Sequence, residues 1–135
     1  MNRREARETV FTLLYERNFQ KDESAEVQYA AALELRELAD DPYMREVYLG
    51  VSANMDAIDE KIVASSGGWS IPRMSRITRT ILRLSAYEML YRTDIPFNIS
   101  INEAVELAKK YEDEKAPAFV NGILNAIATK EGLKN

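Results

Sequence analysis

Arg3, Arg4 and Arg7 place three guanidinium groups within five residues of one another near the start of the chain. On a helix, Arg3 and Arg7 share a face at the i, i+4 spacing. Guanidinium offers a planar fork to phosphate and stacks on nucleobases. Three cations at a helix N-terminus oppose the helix dipole, which a bound anion would relieve. Glu8 stands four residues after Arg4 and can pair with it, so a solvated basic face explains the cluster equally well. Near the other end, Lys115 precedes Phe119 by four residues. A cation beside an aromatic ring suits stacking of an unpaired base. On pattern alone a phenylalanine packed in the core or against the other subdomain is slightly preferred, although Val120, Ile123, Leu124 and Ile127 supply an inner face without it. Arg73, Arg76, Arg79 and Arg83 form a third basic series. It reads either as an anion-facing stripe or, preferably, as side chains lying over the core and pairing with Glu88 or other acids.

Catalytic chemistry is poorly supplied. The chain has no cysteine and no histidine. Thiolate catalysis, disulfides and cysteine-held metals are excluded, and so are the usual general base near neutral pH and the commonest metal ligand. Glu103 and Glu106 lie three apart, but Glu103 is also placed to close an S-x-x-E capping box with Ser100. The run Glu112–Glu114 lacks calcium-loop spacing. Neither a phosphate-cradling glycine loop nor a nucleophile elbow occurs. No enzyme, cofactor or metal is expected.

The elements that must position these residues are helical throughout. Apolar residues recur at helical spacing, broken at Pro42, Gly67-Gly68, Pro72, Pro96 and Pro117. The pattern predicts a first helix over 3–19 with a stripe of Ala6, Val10, Leu13 and Leu14, and a second over about 25–39 capped by Ser24. A long third helix opens at Asp41-Pro42 and runs to about Ser65 along Val47, Val51, Met55, Ile58 and Ile62. Beyond the glycine pair, a short turn of helix lies near Arg73. A helix over 76–92 then follows, with Ile77, Ile81, Leu84, Met89 and Leu90 inward. The next starts at the Ser100–Glu103 box and ends near Glu112. The last spans about 116–130, with Gly132 as its stop. Asn121 and Gly122 are costly in a helix; a buried hydrogen bond for Asn121 and close helix packing at Gly122 are expected.

A chain of 135 residues is one domain or two small subdomains. Its net charge of −4 is uneven. Residues 1–68 hold 8 basic and 14 acidic side chains, and residues 69–135 hold 10 and 8. Nucleic-acid binding, if present, must therefore use local patches. Met1–Val10 is charged, so no secretory leader is expected, and no apolar run approaches the ~20 residues of a membrane span. A cytoplasmic location follows as an expectation.

Several strings carry a resemblance. They are R-R-E-A-R-E at Arg3–Glu8, L-L-Y at Leu13–Tyr15, Gly50-Val51, Ile58-Asp59, Trp69 followed by Arg73-Met74-Ser75, and I-L-R at Ile81–Arg83. Then come Y-E-M-L at Tyr87–Leu90, D-I-P at Asp94–Pro96, I-N-E-A-V-E-L-A-K-K-Y at Ile101–Tyr111 and F-V-N-G-I-L at Phe119–Leu124. With these, the chain resembles the NusB family of bacterial transcription antitermination factors over nearly its whole length.

The resemblance implies an all-α fold of about seven helices in two three-helix subdomains packed together, about 1–66 and about 69–135. It implies pairing with NusE, a small-subunit ribosomal protein, and binding of boxA RNA in nascent ribosomal transcripts. The setting would be an RNA polymerase elongation complex with other Nus factors. Carried over residue by residue, the RNA-facing positions are Arg3, Arg4, Arg7, Lys115 and Phe119, and the NusE-facing positions are Thr78, Arg79 and Tyr91. Glu5 and Thr9 stand where many relatives are basic, which makes the first patch less cationic here. NusB-like domains also occur fused to RNA cytosine methyltransferases, and 135 residues are expected to leave no room for one. A helical protein-interaction module or a homodimer without RNA contact is the competing expectation.

Overall fold

The computed structural model describes residues 1–133. Among them are seven α-helices and no strand: α1 (Arg3–Glu16), α2 (Ala25–Arg36), α3 (Pro42–Ala53), α4 (Met55–Ala64), α5 (Arg76–Tyr91), α6 (Phe97–Tyr111) and α7 (Ala116–Lys130). A single 3-10 turn covers Ile71–Arg73. The chain forms two compact units, Met1–Ala53 and Asn54–Asn135.

In the first unit, α1 and α2 each pack against α3. Asn2 caps α1: its side chain accepts from the Glu5 N–H at 2.8 Å, and Glu5 Oε1 accepts in return from the Asn2 N–H at 3.4 Å. This capping box is built from Asn rather than Ser or Thr. The expected stripe of Ala6, Val10, Leu13 and Leu14 is buried, with Phe11 beside it. Helix α1 stops at Glu16, short of Phe19, because Arg17 turns extended. Its guanidinium donates to Gln28 Oε1 at 2.9 Å and to the Ser52 hydroxyl, and stacks 4.4 Å from the Phe19 ring centre. Helix α2 begins at Ser24, whose hydroxyl accepts from the Val27 N–H at 3.2 Å. It ends where Glu37 enters the left-handed region at φ 54, allowing the Leu38 N–H to reach the Leu33 carbonyl at 2.9 Å. Asp41 caps α3 through the Met44 N–H at 3.0 Å.

The expected long third helix is two helices. Asn54 leaves helical geometry at φ −116 and ψ 18. Val47 and Val51 are buried in the first unit, while Ile58 and Ile62 are buried on α4, which packs against α5 and α7 of the second. The spacing of these four residues stays helical across the break, which hides it in the sequence. Gly67 and Gly68, expected at the subdomain boundary, lie inside the second unit, where positive φ values of 66 and 100 turn the chain after α4.

Helix α5 is the spine of the second unit and is buried on most of its circumference. It packs against α4, α6 and α7, and α6 packs in turn against α7. Arg83 leaves this core to grip Asp59 of α4 with two parallel bonds of 2.9 Å. That is the structural role preferred for it above. The Ser100–Glu103 capping box does not form. Helix α6 starts four residues earlier, at Phe97, with Pro96 rather than Ser100 in the cap position. Ser100 therefore lies within the first turn, buried, and its hydroxyl donates to Oε1 of the fully buried Glu88 on α5 at 2.7 Å. A hydroxyl facing a buried carboxylate is worth more there than on a solvated cap. Asp113 caps α7 by accepting from the Lys115 and Ala116 N–H groups at 2.9 and 3.1 Å. Gly132, at φ 63, closes the helix as expected, with the Leu133 N–H on the Ala128 carbonyl at 2.9 Å.

Candidate nucleic-acid interface

The arginines of α1 sit on the first unit. Arg3 lies with its guanidinium carbon 4.4 Å from the ring centre of Tyr43 on α3, and Arg7 lies 5.7 Å from the same ring. One buried tyrosine thus collects two of the three cations. This supplies an internal reason for their spacing. Sequence reading missed Tyr43, whose only signal is its place one residue inside the Asp41-Pro42 helix start. The three arginines are not equivalent. Arg3 and Arg4 are exposed, whereas Arg7 is 4% exposed. Arg7 is held in the fold and does not present its side chain at the surface.

Lys115, the residue before α7, and Phe119, in its first turn, sit on the second unit, and the structure brings them into a groove of about 330 Å³. Thr78 and Ser75 at the start of α5, Trp69, Arg73, Glu112 and Asp113 also line it. Phe119 is half-buried and meets Trp69 edge to face, with ring centres 5.7 Å apart and planes at 72°. Arg73 lies 4.7 Å from the Trp69 ring centre, on its face. Ser75 performs two tasks: its hydroxyl caps α5 by accepting from the Thr78 N–H at 3.0 Å and donates to Glu112 Oε1. Met74, Thr78 and Ala116 are buried beneath. The groove therefore has aromatic walls, two cations and fixed carboxylates. Trp69 and Arg73 were not among the expected site residues. Their signal was a lone tryptophan four residues before an arginine, immediately after two glycines.

The three partner-facing expectations separate. Thr78 is buried in the groove, and Arg79 is half-buried one residue on. Tyr91 is exposed at the far end of α5, its ring 5.0 Å from Tyr87. Thirteen residues of helix place Thr78 and Tyr91 about 20 Å apart along the axis. Asn121 and Gly122 depart from expectation. Both are exposed; Asn121 accepts from the Asn125 side-chain amide at 3.0 Å, and a Cβ on Gly122 would meet nothing within 4 Å. Neither makes a buried contact, because α7 turns this face outward. Among the described residues, no group of three acidic side chains is arranged to hold a metal ion, and no helix is long and apolar enough to cross a membrane.

A family model, described as the NusB family, matches residues 4–129. Transcription antitermination protein NusB of Ruminiclostridium cellulolyticum is 45% identical over 130 residues, covering 95% of this chain and 89% of that protein. Its counterpart in Clostridium acetobutylicum is 42% identical over 97% of this chain and 98% of its own length. Among solved structures, NusB of T. maritima superposes with a TM-score of 0.81 at 36% identity, covering 96% of this chain and 92% of that one. A crystal structure of antitermination factors NusB and NusE in complex with dsRNA superposes with a TM-score of 0.80 at 28% identity, covering 95% and 96%.

Proposed function

The chain belongs to the NusB family, and on that premise we propose that it is a transcription antitermination factor that pairs with NusE and binds boxA-type RNA in nascent ribosomal transcripts. It acts as a non-catalytic adaptor in the cytoplasm, in an RNA polymerase elongation complex with other Nus factors. The observation that carries this reading is the span of the family match: Arg4, Arg7, Lys115 and Phe119 all fall within residues 4–129. A NusB relative solved with NusE and RNA supports the two partners.

On this reading Arg3 and Arg4 contact phosphates or base edges of the RNA, and Arg7 holds α1 and Tyr43 in place beneath them. Phe119 offers a face to one base and Lys115 neutralises a neighbouring phosphate. Thr78, Arg79 and Tyr91 are assigned to the NusE-facing surface, with Thr78 contributing through the groove wall. Neutralising about 3–5 phosphates on a single strand gives a slope of log affinity against log salt of about −2 to −3.5. The test is a titration of labelled boxA RNA with the chain plus NusE. Phe119→Ala should weaken binding by about 1–3 kcal/mol. Full-strength binding by both Phe119→Ala and an Arg3→Ala, Arg4→Ala double variant would overturn the site assignment.

The competing reading is a protein-only adaptor or homodimer. In its favour, Leu35 on α2 is 85% exposed, with Val27 exposed two turns earlier. Light scattering with and without RNA separates the two: a salt-insensitive dimer indifferent to boxA favours the protein-only module.

A further inference from the structure

The groove on the second unit holds both a donor and an acceptor beside an aromatic surface. Trp69 is the sole tryptophan of the chain and is 41% exposed. The Arg73 guanidinium carbon lies over its face, 4.7 Å from the ring centre, and the group carries five N–H donors. Glu112 lines the same groove, held by the Ser75 hydroxyl on Oε1. Its Oε2 already accepts from the Asp113 N–H at 3.3 Å; a carboxylate has about four lone-pair sites, so each oxygen keeps one for a ligand. A groove that only tracked phosphates would repel them with this carboxylate. A groove that reads a base edge uses it. The volume of about 330 Å³ lies at the small end of ligand pockets, the size of one base rather than a run of nucleotides.

Resting on the function proposed above, we infer that this groove is a pocket for one unpaired base of the bound RNA and that it prefers guanine. Guanine alone among the four bases presents two adjacent donors, N1–H and the 2-amino group, to the two oxygens of a carboxylate. Its O6 and N7 accept from an arginine. Uracil offers one N–H. Adenine and cytosine place a lone pair beside their amine, which faces the second oxygen of Glu112 unfavourably. Phe119 supplies the face on which the base stacks, and the part of Trp69 that Arg73 leaves uncovered borders it.

The test uses the full chain with NusE and short single-stranded RNAs: an all-uridine oligomer, the same oligomer with one guanosine, and the same with inosine, which lacks only the 2-amino group. Binding is read by anisotropy of the labelled RNA and by Trp69 emission, with Trp69→Phe isolating the signal of that residue. The guanosine oligomer should bind about 5–10-fold tighter than the inosine one, and should quench Trp69. Glu112→Gln keeps the side-chain shape and should bring the ratio near one. Trp69→Ala should weaken all three RNAs about 5–100-fold, its fold being checked by circular dichroism. Equal binding of guanosine and inosine RNAs, unaltered in Glu112→Gln and without Trp69 quenching, overturns the pocket while leaving the RNA-binding function standing. A change in Trp69 emission caused by NusE alone, with RNA adding nothing, also overturns it and assigns the groove to protein. No binding of any RNA, boxA included, removes both readings.

Discussion

Ser100→Ala is the sharpest test of how the second unit is held. The Ser100 hydroxyl donates at 2.7 Å to Glu88, and both side chains are buried. Removing the hydroxyl takes one donor from a buried carboxylate, a loss of about 1.5–3 kcal/mol for a hydrogen bond to a charged group. With a urea slope of about 2 kcal/mol/M, the midpoint should fall by about 1 M. Trp69 emission is a suitable probe because Trp69 lies in the same unit. The alternative is the capping box that the string S-I-N-E suggests, in which Ser100 and Glu103 support each other and Ser100→Ala costs about 1 kcal/mol. A double-mutant cycle distinguishes them. Coupling of at least about 0.5 kcal/mol should appear between Ser100→Ala and Glu88→Gln. Glu103→Ala should stay within about 0.5 kcal/mol of the parent. Coupling between Ser100 and Glu103, with none to Glu88, would refute the reasoning. So would a Ser100→Ala variant as stable as the parent.

Other outcomes follow from the same geometry. Arg7→Ala should lower the melting temperature as well as RNA affinity, because Arg7 is buried beside Tyr43. Arg4→Ala, at an exposed position, should leave melting unchanged and reduce the steepness of the salt dependence by about 0.7 if it meets one phosphate of a single strand. Glu37→Gly relieves a left-handed residue at φ 54 and should raise stability by about 0.5–1 kcal/mol in urea unfolding, whereas a β-branched Glu37→Val should lower it. Arg45, then Tyr29, hydrogen-bonds Asp40 and holds its carboxyl below the ordinary carboxylate range. Its contribution is present above the unfolded-state value near pH 4 and is lost as pH falls through the lower folded value. Asp40→Asn should therefore flatten the acid limb of the stability profile, and an NMR titration should place the Asp40 carboxyl below its ordinary value.

Helix content, most breaks and the α1 stripe were legible because burial at 3.6-residue spacing and punctuation by Pro and Gly are local properties. Gly132 ended α7 as expected for the same reason. The sequence also brought Lys115 and Phe119 together, since four residues of helix do so unaided. It could not separate Arg3 and Arg4 from Arg7, because exposure depends on what else packs against a helix face. The break at Asn54 was hidden because the apolar register runs on unchanged across it. Ser100 fitted a cap locally, yet a buried carboxylate on a neighbouring helix took its hydroxyl. Trp69 and Arg73 joined Phe119 only through a turn that closes after α4, fifty residues away in sequence from the start of α7. Local chemistry thus determined which helices form and which residue types are available to bind. Tertiary packing decided which of those residues reach solvent and which meet each other, because burial and pairing are set by residues distant along the chain.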